Sequence, residues 1–266
     1  YASTYPTISS GKTTKLVIIS TPNKYNLFYK LWTDAENKRN SFNPVRVHWE
    51  EVEGRDEAWK LEQIANTSKE QFEQEHECSF DSASNGLIDS EKIKEMMANY
   101  LDPSFKDDDD SLYIYEKPKE NEKYIIVVDT AKGVEKDYSA FVVVKISKIP
   151  YEVVAVYRNN KISPLVYPDI LYKVGINYNE ADMLIENNEY GQQITTILFF
   201  EKEYGNLIFT ELSNKKQRIA YGNDGKAVAG VRTTASIKNV GCSNLKAMIE
   251  HNKLVVRDYN TISELS

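Results

Sequence analysis

The chain has 266 residues and a formal net charge of -7, with 41% hydrophobic and 27% charged residues. This apolar content is enough to fill a core, which excludes a disordered tail. The mean hydropathy is -0.53, and no apolar run approaches the roughly 20 residues that a bilayer span needs, so we expect a soluble protein without a membrane span. Cys78 and Cys242 have no His or Cys at metal-ligand spacing, which favours a reducing, cytoplasmic setting over a disulfide framework or a zinc site.

Charge is distributed unevenly along the chain. Residues 1–120 carry 15 basic and 23 acidic side chains, a net of -8, whereas residues 121–266 carry 18 basic and 17 acidic side chains, a net of +1. Within the second part, residues 212–257 have nine basic and two acidic side chains, a local net of +7. Such a segment is compatible with a phosphate-binding face, so the overall negative charge does not exclude nucleic acid as a partner.

The change in charge coincides with a stretch rich in charged residues that also contains proline. We predict that residues 106–120 are a linker, with one domain over 1–105 and a second over 121–266. The first residues have neither an initiator Met nor the charged and apolar regions of a secretory signal. We therefore expect the chain to be a piece of a longer protein.

The first domain has a mixed pattern. A continuous apolar run over residues 16–19 predicts a buried strand, and apolar residues at helical spacing predict a helix from residue 27. Alternation over residues 45–49 predicts another strand. Residues 56–76 are predicted to be helical, with a capping box that begins at Ser68. This pattern is α/β, with too few strands to close a sheet of its own.

A phosphate-binding loop is suggested by Ser9–Thr14, which is similar to the end of a Walker A motif. The first glycine of that motif would fall on Pro6, whose ring fixes φ and removes the N–H that a phosphate cradle needs. The predicted strand also follows where the motif requires a helix. The sequence therefore argues against a nucleotide site here.

The second domain has a more regular pattern of strands and helices. Its first three strands form a meander, followed by a helix that opens at Ser163 and a fourth strand. A second helix, a short strand, a third helix and a last strand follow. The predicted strands are 125–128, 140–146, 151–157, 183–185, 207–209 and 254–256, and the predicted helices are 163–178, 191–204 and 236–251.

Two acidic residues stand directly after predicted buried strands, Asp129 after the first and Glu186 after the fourth. Mg²⁺ and Mn²⁺ prefer carboxylate oxygens, and a pair of such ions can activate water and stabilise the leaving oxygen of a phosphodiester. If the loop after the first strand folds back, Asp137 faces Asp129. The alternative is that acids at strand ends only form turns.

The order of these elements strengthens the metal-site hypothesis. An acid on the first strand, two antiparallel strands, a helix and an acid after the fourth strand follow the plan of the RNase H-like nuclease fold. Such folds complete their site with a third acid on a later helix. We expect that acid to lie beyond Ser266.

The chain resembles the large terminase subunit, the DNA-packaging motor of tailed bacteriophages, particularly the branch from large contractile-tailed phages. The resemblance runs along nearly the whole chain, in family order. It is carried by Ile8–Gly11 with Leu16–Asn23, Gln71–His76, Val128–Gly133 with Asp137–Tyr138, Ile185–Asn188 with Gly191, and Val240–Lys246 with Leu254–Val256.

The resemblance implies the C-terminal part of a P-loop-type α/β ATPase domain followed by an incomplete RNase H-like nuclease domain, a mixed β-sheet flanked by helices. It implies that Asp129 and Glu186 hold Mg²⁺ or Mn²⁺ in a two-metal site, with Asp137 assisting catalysis. It also implies that Ser20 and Thr21 couple ATP hydrolysis. The family's Walker A and B motifs precede the residues present here, so ATP would bind only to the full-length protein.

Further expectations concern partners. The resemblance implies double-stranded DNA, the portal protein, the small terminase subunit and other copies of the chain as partners in the packaging motor, in the host cytoplasm. Lys132 and Lys136 either steer phosphate or are ordinary solvated loop lysines. The remaining predicted DNA-binding residues are Lys215, Lys216, Arg218, Arg232, Lys238 and Lys246.

Several hypotheses of function remain open from the sequence. The leading one is a metal-dependent endonuclease that cuts concatemeric phage DNA and is coupled, in the full-length protein, to ATP-driven translocation of DNA into the capsid. A second is a translocase whose nuclease half only holds DNA. A third is a catalytically incomplete packaging or DNA-binding fragment, and a fourth is another RNase H-like nuclease of the resolvase or transposase type.

Overall fold

The computed structural model describes residues 13–23, 25–80, 86–187, 190–213, 216–220 and 227–266. The chain divides into two compact units, one formed by Tyr1–Gly86 with Ser266 and the other by Leu87–Leu265. The described helices are α1 (Leu27–Glu36), α2 (Glu57–Asn66), α3 (Lys69–Glu75), α4 (Ser90–Ala98), α5 (Tyr167–Asn177), α6 (Gly191–Thr196), α7 (Ala235–Glu250) and α8 (Tyr259–Glu264). Within this described part, no helix is long and apolar enough to cross a membrane.

The second unit is built on a mixed sheet of seven strands beside a smaller sheet of three. The strands are β1 (Phe105–Lys106), β2 (Leu112–Ile114), β3 (Tyr124–Asp129), β4 (Ser139–Lys145), β5 (Tyr151–Asn159), β6 (Asp182–Ile185), β7 (Phe209–Ser213), β8 (Lys216–Ile219), β9 (Val228–Ala229) and β10 (Leu254–Val255). The large sheet has the order β1-β2-β5-β4-β3-β6, and β10 pairs with β5 beside this path. The smaller sheet has the order β8-β7-β9.

One face of the large sheet is packed under α5. Alternate residues of β3 are buried there, Tyr124, Ile126 and Val128, because successive side chains of a strand point to opposite faces. Tyr167 of α5 lies fully buried against this face, with its ring centroid 5.7 Å from that of Tyr157 on β5. This packing fixes the strands whose ends carry the acidic residues.

The strands predicted for the second domain are confirmed from β3 to β6, as are the helix over α7 and the strand at β10. The helix predicted from Ser163 begins at Tyr167, after a turn. The helix predicted over 191–204 is α6 followed by a π-helical segment, Ile197–Glu201. The strand predicted at 207–209 is displaced to β7.

The segment predicted as a linker, 106–120, is not free chain. It contains Lys106 of β1 and the whole of β2, which pairs with β5. These strands are too short for a periodic pattern to appear in the sequence, because β1 has two residues and β2 has three, and charged residues flank both. The predicted domain limits themselves stay a prediction.

Two strands predicted for the first unit are wrong. Val17 and Ile19 are 77% and 89% exposed and lie in irregular chain, as do Val45 and Val47. A strand needs a partner for its backbone groups, and the described residues of this unit form none that could pair with either run. The helix at α1 is confirmed, and the region 56–76 is two helices, with Ser68 capping the second by accepting a hydrogen bond from Gln71 N.

Candidate active site

The two acidic residues predicted from the strand pattern lie side by side at one edge of the large sheet. Asp129 is the last residue of β3, and Glu186 follows β6 directly. These strands are parallel neighbours, with Val128 paired to Ile185, and Glu186 N donates to Val128 O at 2.9 Å. Parallel strands bring their carboxyl ends to the same edge, so the two side chains meet.

The carboxyl groups of Asp129 and Glu186 are within hydrogen-bond contact, and the pKa of Asp129 lies above its ordinary value. Desolvation by the surrounding protein is the largest cause, followed by the hydrogen bond and the negative charge of Glu186. The Thr130 N–H, which donates to Asp129 Oδ1 at 2.8 Å, acts in the opposite direction. The pKa of Asp129 is raised from 3.8 to about 6.

The loop after β3 is closed at its base and packs against the chain that follows β5, where Glu135 N donates to Asn160 O at 2.9 Å. The buried Ser139 hydroxyl accepts a hydrogen bond from Ala131 N at 3.0 Å, which ties the two ends of the loop together. Gly133 has a φ of +74°, and a Cβ at this position would lie 2.2 Å from Ile162 O, so only glycine fits. Asp137 is exposed on this loop, and its charge adds to the rise in the pKa of Asp129.

Glu186 is fixed by close packing of the backbone around it. It forms an isolated bridge with Val231, and Gly191 at the start of α6 approaches its carbonyl so closely that a Cβ would lie 1.8 Å from Glu186 O. The same Cβ would lie 3.6 Å from Thr130 Oγ1, a buried hydroxyl with no hydrogen-bond partner. Both acids are therefore held by rigid elements.

The donor set at this edge fits a divalent cation. Two carboxylates held in contact at neutral pH repel each other, and a cation between them relieves the repulsion. Mg²⁺ is often bound by one or two carboxylates that leave room for water and substrate phosphates. Within the described ranges, no group of three or more His, Cys, Asp and Glu side chains is arranged to hold a metal ion. Asp129 and Glu186 are thus a pair, with Asp137 farther away.

Four of the basic residues predicted to bind DNA are exposed around the acidic pair or on an element that begins near it. Lys132 and Lys136 lie on the loop between β3 and β4. Arg232 directly follows Val231, the bridge partner of Glu186, and Lys238 is in the first turns of α7. All four side chains are exposed, and each lies close in the chain to Asp129 or to the bridge partner of Glu186.

The other predicted residues are placed differently. Lys246 on α7 forms an ion pair with Glu250 at 3.0 Å and donates to Leu87 O at 3.1 Å, so it ties the unit together. Ser20 and Thr21 lie in exposed irregular chain of the first unit, where Ser20 Oγ donates to Thr21 O. The side chains of Lys215, Lys216 and Arg218 lie outside the described residues, as do Ser9 to Lys12 of the Walker-like motif.

No role is assigned from the sequence to the residues that hold the site together. Ser139 and Thr130 are small polar residues next to strand ends, a pattern too common to single out. Gly133 lies in a predicted loop, but only the closeness of Ile162 shows why glycine is required there. Gly191, five residues after Glu186 at the start of a predicted helix, is the one position whose spacing offered a signal.

Two family models match the chain. The model described as the terminase RNaseH-like domain matches residues 126–265. The model described as the N-terminal part of the T4likevirus-type terminase large subunit matches residues 1–95. The two matched ranges do not overlap, and both models describe parts of a terminase large subunit or of a terminase.

The comparison with solved structures found terminase structures from phages. The large terminase nuclease of thermophilic phage G20c, crystallised with magnesium, is 18% identical with a TM-score of 0.50, over 69% of this chain and 80% of that one. The large terminase nuclease domain of Thermus phage P74-26 is 18% identical with a TM-score of 0.45, over 65% and 76% of the two chains. The large terminase of a further thermophilic bacteriophage is 11% identical with a TM-score of 0.38, over 100% and 61%. The first of these supports the RNase H-like fold of the second unit.

Proposed function

The chain belongs to the family of phage terminase large subunits, which package viral DNA, and from this premise we propose that its second unit is a metal-dependent endonuclease that cuts double-stranded DNA. The contact between Asp129 and Glu186 at the ends of two parallel strands carries the proposal. Their carboxylates would hold Mg²⁺ or Mn²⁺ in a two-metal site, with Asp137 assisting from the loop. When bound, such ions supply an activated water and stabilise the leaving oxygen of the phosphodiester.

The chain's own contribution is to position the ions and the DNA. Ser139 and Gly133 fix the path of the loop, and Gly191 fixes the backbone of Glu186, so the acids stay in place without substrate. The exposed cations around them would bind the DNA backbone by neutralising phosphates. They are Lys132, Lys136, Arg232 and Lys238, and we extend the proposal to Lys215, Lys216, Arg218 and Lys246.

Nicking of supercoiled plasmid by the complete protein with Mg²⁺ or Mn²⁺ tests this proposal. We expect Asp129→Asn and Glu186→Gln each to abolish cleavage while the protein stays folded. Asp182→Asn is the matched control, because Asp182 begins the same strand that Glu186 follows but lies at its opposite end. Wild-type cleavage by either of the first two variants would overturn the assignment of the acids.

The role of the first unit is proposed from the family alone. In the complete protein, Ser20 and Thr21 would couple ATP hydrolysis to DNA movement, with ATP bound only there, and copies of the chain would assemble with the portal protein and the small terminase subunit in the host cytoplasm. We expect Ser20→Ala and Thr21→Ala to lower DNA-stimulated ATP hydrolysis. Hydrolysis at the wild-type rate would contradict coupling through these residues.

A second candidate function is a unit that holds DNA without cutting it. It is favoured by the presence of only two acids in contact among the described residues, where RNase H-like sites use a third. Under this alternative, the complete wild-type protein binds DNA but leaves plasmid intact with every divalent ion. The plasmid experiment therefore separates the two functions.

A further inference from the structure

Arg158 lies in the same row of the sheet as the acidic pair. Asp129 at the end of β3 is paired with Ala140 on β4, and Ala140 is paired with Arg158 on β5. Directly opposed residues of antiparallel strands project to the same face. With strands about 4.8 Å apart, the backbones of Asp129 and Arg158 are about 10 Å apart on one face of the sheet.

The position between them carries a small side chain. Ala140 is partly exposed, and its methyl group reaches little beyond the backbone. Four neighbouring strands therefore place two carboxylates, a methyl group and a guanidinium in one row. The row runs from Glu186 through Asp129 and Ala140 to Arg158. A strand of DNA with one phosphate at the acids could place a neighbouring phosphate over Ala140 and toward Arg158.

The guanidinium of Arg158 is held in place by an exposed aromatic ring. Its Cζ lies 4.5 Å from the ring centroid of Tyr138, which is 43% exposed and directly follows Asp137. This contact restricts the long side chain and leaves N–H groups at the edge of the guanidinium for another acceptor.

The ion pair that Arg158 makes is weak. Its Nη1 lies 3.5 Å from Glu264 Oε1, and the two side chains are 38% and 74% exposed. An exposed pair of this kind contributes little to stability, because both groups keep much of their hydration and lose side-chain freedom. A phosphate oxygen could therefore replace Glu264 at small cost.

We propose that Arg158, positioned by Tyr138, is a binding site for the DNA phosphate that neighbours the one at the acidic pair. The planar guanidinium matches the geometry of phosphate oxygens and can donate two parallel hydrogen bonds to them. This inference rests on the proposed nuclease function, which places the cleaved phosphate at the acidic pair. Arg158 contacts the substrate away from the reacting atoms, so it affects binding and register more than the chemical step.

Binding of a short DNA duplex by the complete protein, measured in EDTA at several salt concentrations, tests the site without cleavage. We expect Arg158→Gln to weaken binding roughly tenfold, the loss of one charge-assisted contact, and to lower the slope of log K against log salt by about one. Arg158→Lys should keep the slope but recover only part of the affinity, since it retains the charge and loses the planar donors.

Three further variants separate loss of the phosphate contact from loss of folding. Lys173→Gln is the matched control, because it removes one exposed charge from α5 on the opposite face of the sheet, and we expect no change. Tyr138→Leu should weaken binding, because the guanidinium loses the ring that holds it. Glu264→Gln should strengthen binding, because it removes the competing carboxylate, and a misfolded variant would not bind more tightly.

The outcomes distinguish this site from the proposed function. Unchanged affinity and slope for Arg158→Gln, or no DNA binding by the wild type, would overturn the phosphate site. Cleavage failing in the wild type with every divalent ion, while Arg158→Gln still weakens binding, would overturn the nuclease function and leave the phosphate site supported.

Discussion

At the scale of single residues, the site depends on keeping two like charges in contact. The sequence predicted Asp129 and Glu186 because each follows an apolar run that could only be a buried strand. It could not predict the contact itself, since the pairing of β3 with β6 brings together residues 57 positions apart. The burial of the Thr130 hydroxyl and the close approach of Gly191 to Glu186 O likewise arise only in the folded chain.

The raised pKa of Asp129 predicts how the stability of the metal-free protein varies with pH. The folded state holds a proton on this carboxyl up to about pH 6, whereas the unfolded chain releases it near 3.8. Stability is therefore lost as the pH rises through this window. We expect Asp129→Asn to raise the free energy of unfolding at pH 7 by on the order of 1 kcal/mol, a value reduced because the residue is partly in solvent, and to change nothing at pH 4.

Urea unfolding in EDTA at the two pH values measures this effect. Asp182→Asn, at the other end of β6, should show no such difference between pH 4 and pH 7. An equal change at both pH values for Asp129→Asn, or lower stability at pH 7, would contradict the raised pKa of Asp129.

At the scale of elements, the first residue of α6 packs directly against the backbone of Glu186. Gly191→Ala would place a methyl group 1.8 Å from Glu186 O, so either α6 or the chain at Glu186 must move. We expect this variant to lose at least about 2 kcal/mol of stability together with cleavage activity. The measurements are thermal unfolding and plasmid nicking.

Gly241→Ala is the matched helical control. It lies inside α7, and its added methyl group would meet no atom within 4 Å. We expect unchanged activity and a gain of roughly 0.5–1 kcal/mol from helix propensity. Equal losses in the two variants would show that close packing at Glu186 is not the reason for glycine at position 191.

A buried lysine joins elements at the far end of the sheet. Lys145 at the end of β4 is 5% exposed and contacts Glu116 at 2.8 Å and Glu152 at 3.2 Å. Desolvation lowers its pKa, but the two carboxylates outweigh this and hold the pKa above its ordinary value. The two ion pairs thereby join β4 to β5 and to the segment that follows β2.

Removal of this lysine leaves two carboxylates without a buried partner. We expect Lys145→Ala to lower the free energy of unfolding by about 2–4 kcal/mol in urea titrations. Lys119 contacts the same Glu116 at 3.1 Å but is 59% exposed, so Lys119→Ala should cost under about 0.5 kcal/mol. Similar losses for both lysines would show that burial does not determine the contribution.

Periodicity predicted the central strands and missed those that depend on tertiary pairing. β3, β4 and β5 are long, apolar and buried on one face, so their pattern is strong. β1 and β2 have two and three residues, and only pairing with β5 makes them strands. The runs at 16–19 and 45–49 show the reverse, an apolar pattern without a partner.

At the scale of the whole molecule, a chain of net charge -7 is proposed to bind a polyanion. Binding then requires the positive charge around the site to outweigh the net negative charge of the chain. Such binding weakens strongly as the salt concentration rises. We expect DNA affinity to fall at least tenfold between roughly 50 and 200 mM salt, and the double variant Lys132→Gln with Lys136→Gln to lower the slope by about two. Lys173→Gln on α5 should leave the slope unchanged, and an affinity insensitive to salt would contradict phosphate binding by these loops.

Asp129 and Glu186 together are proposed to hold a divalent cation, and calorimetric titration of the chain with Mn²⁺ tests this claim most directly. We predict saturable uptake of the ion that is lost in Glu186→Gln and in Asp129→Asn and kept in Asp182→Asn. Uptake that is unchanged when Glu186 is replaced, or no uptake by the wild type, would contradict the claim.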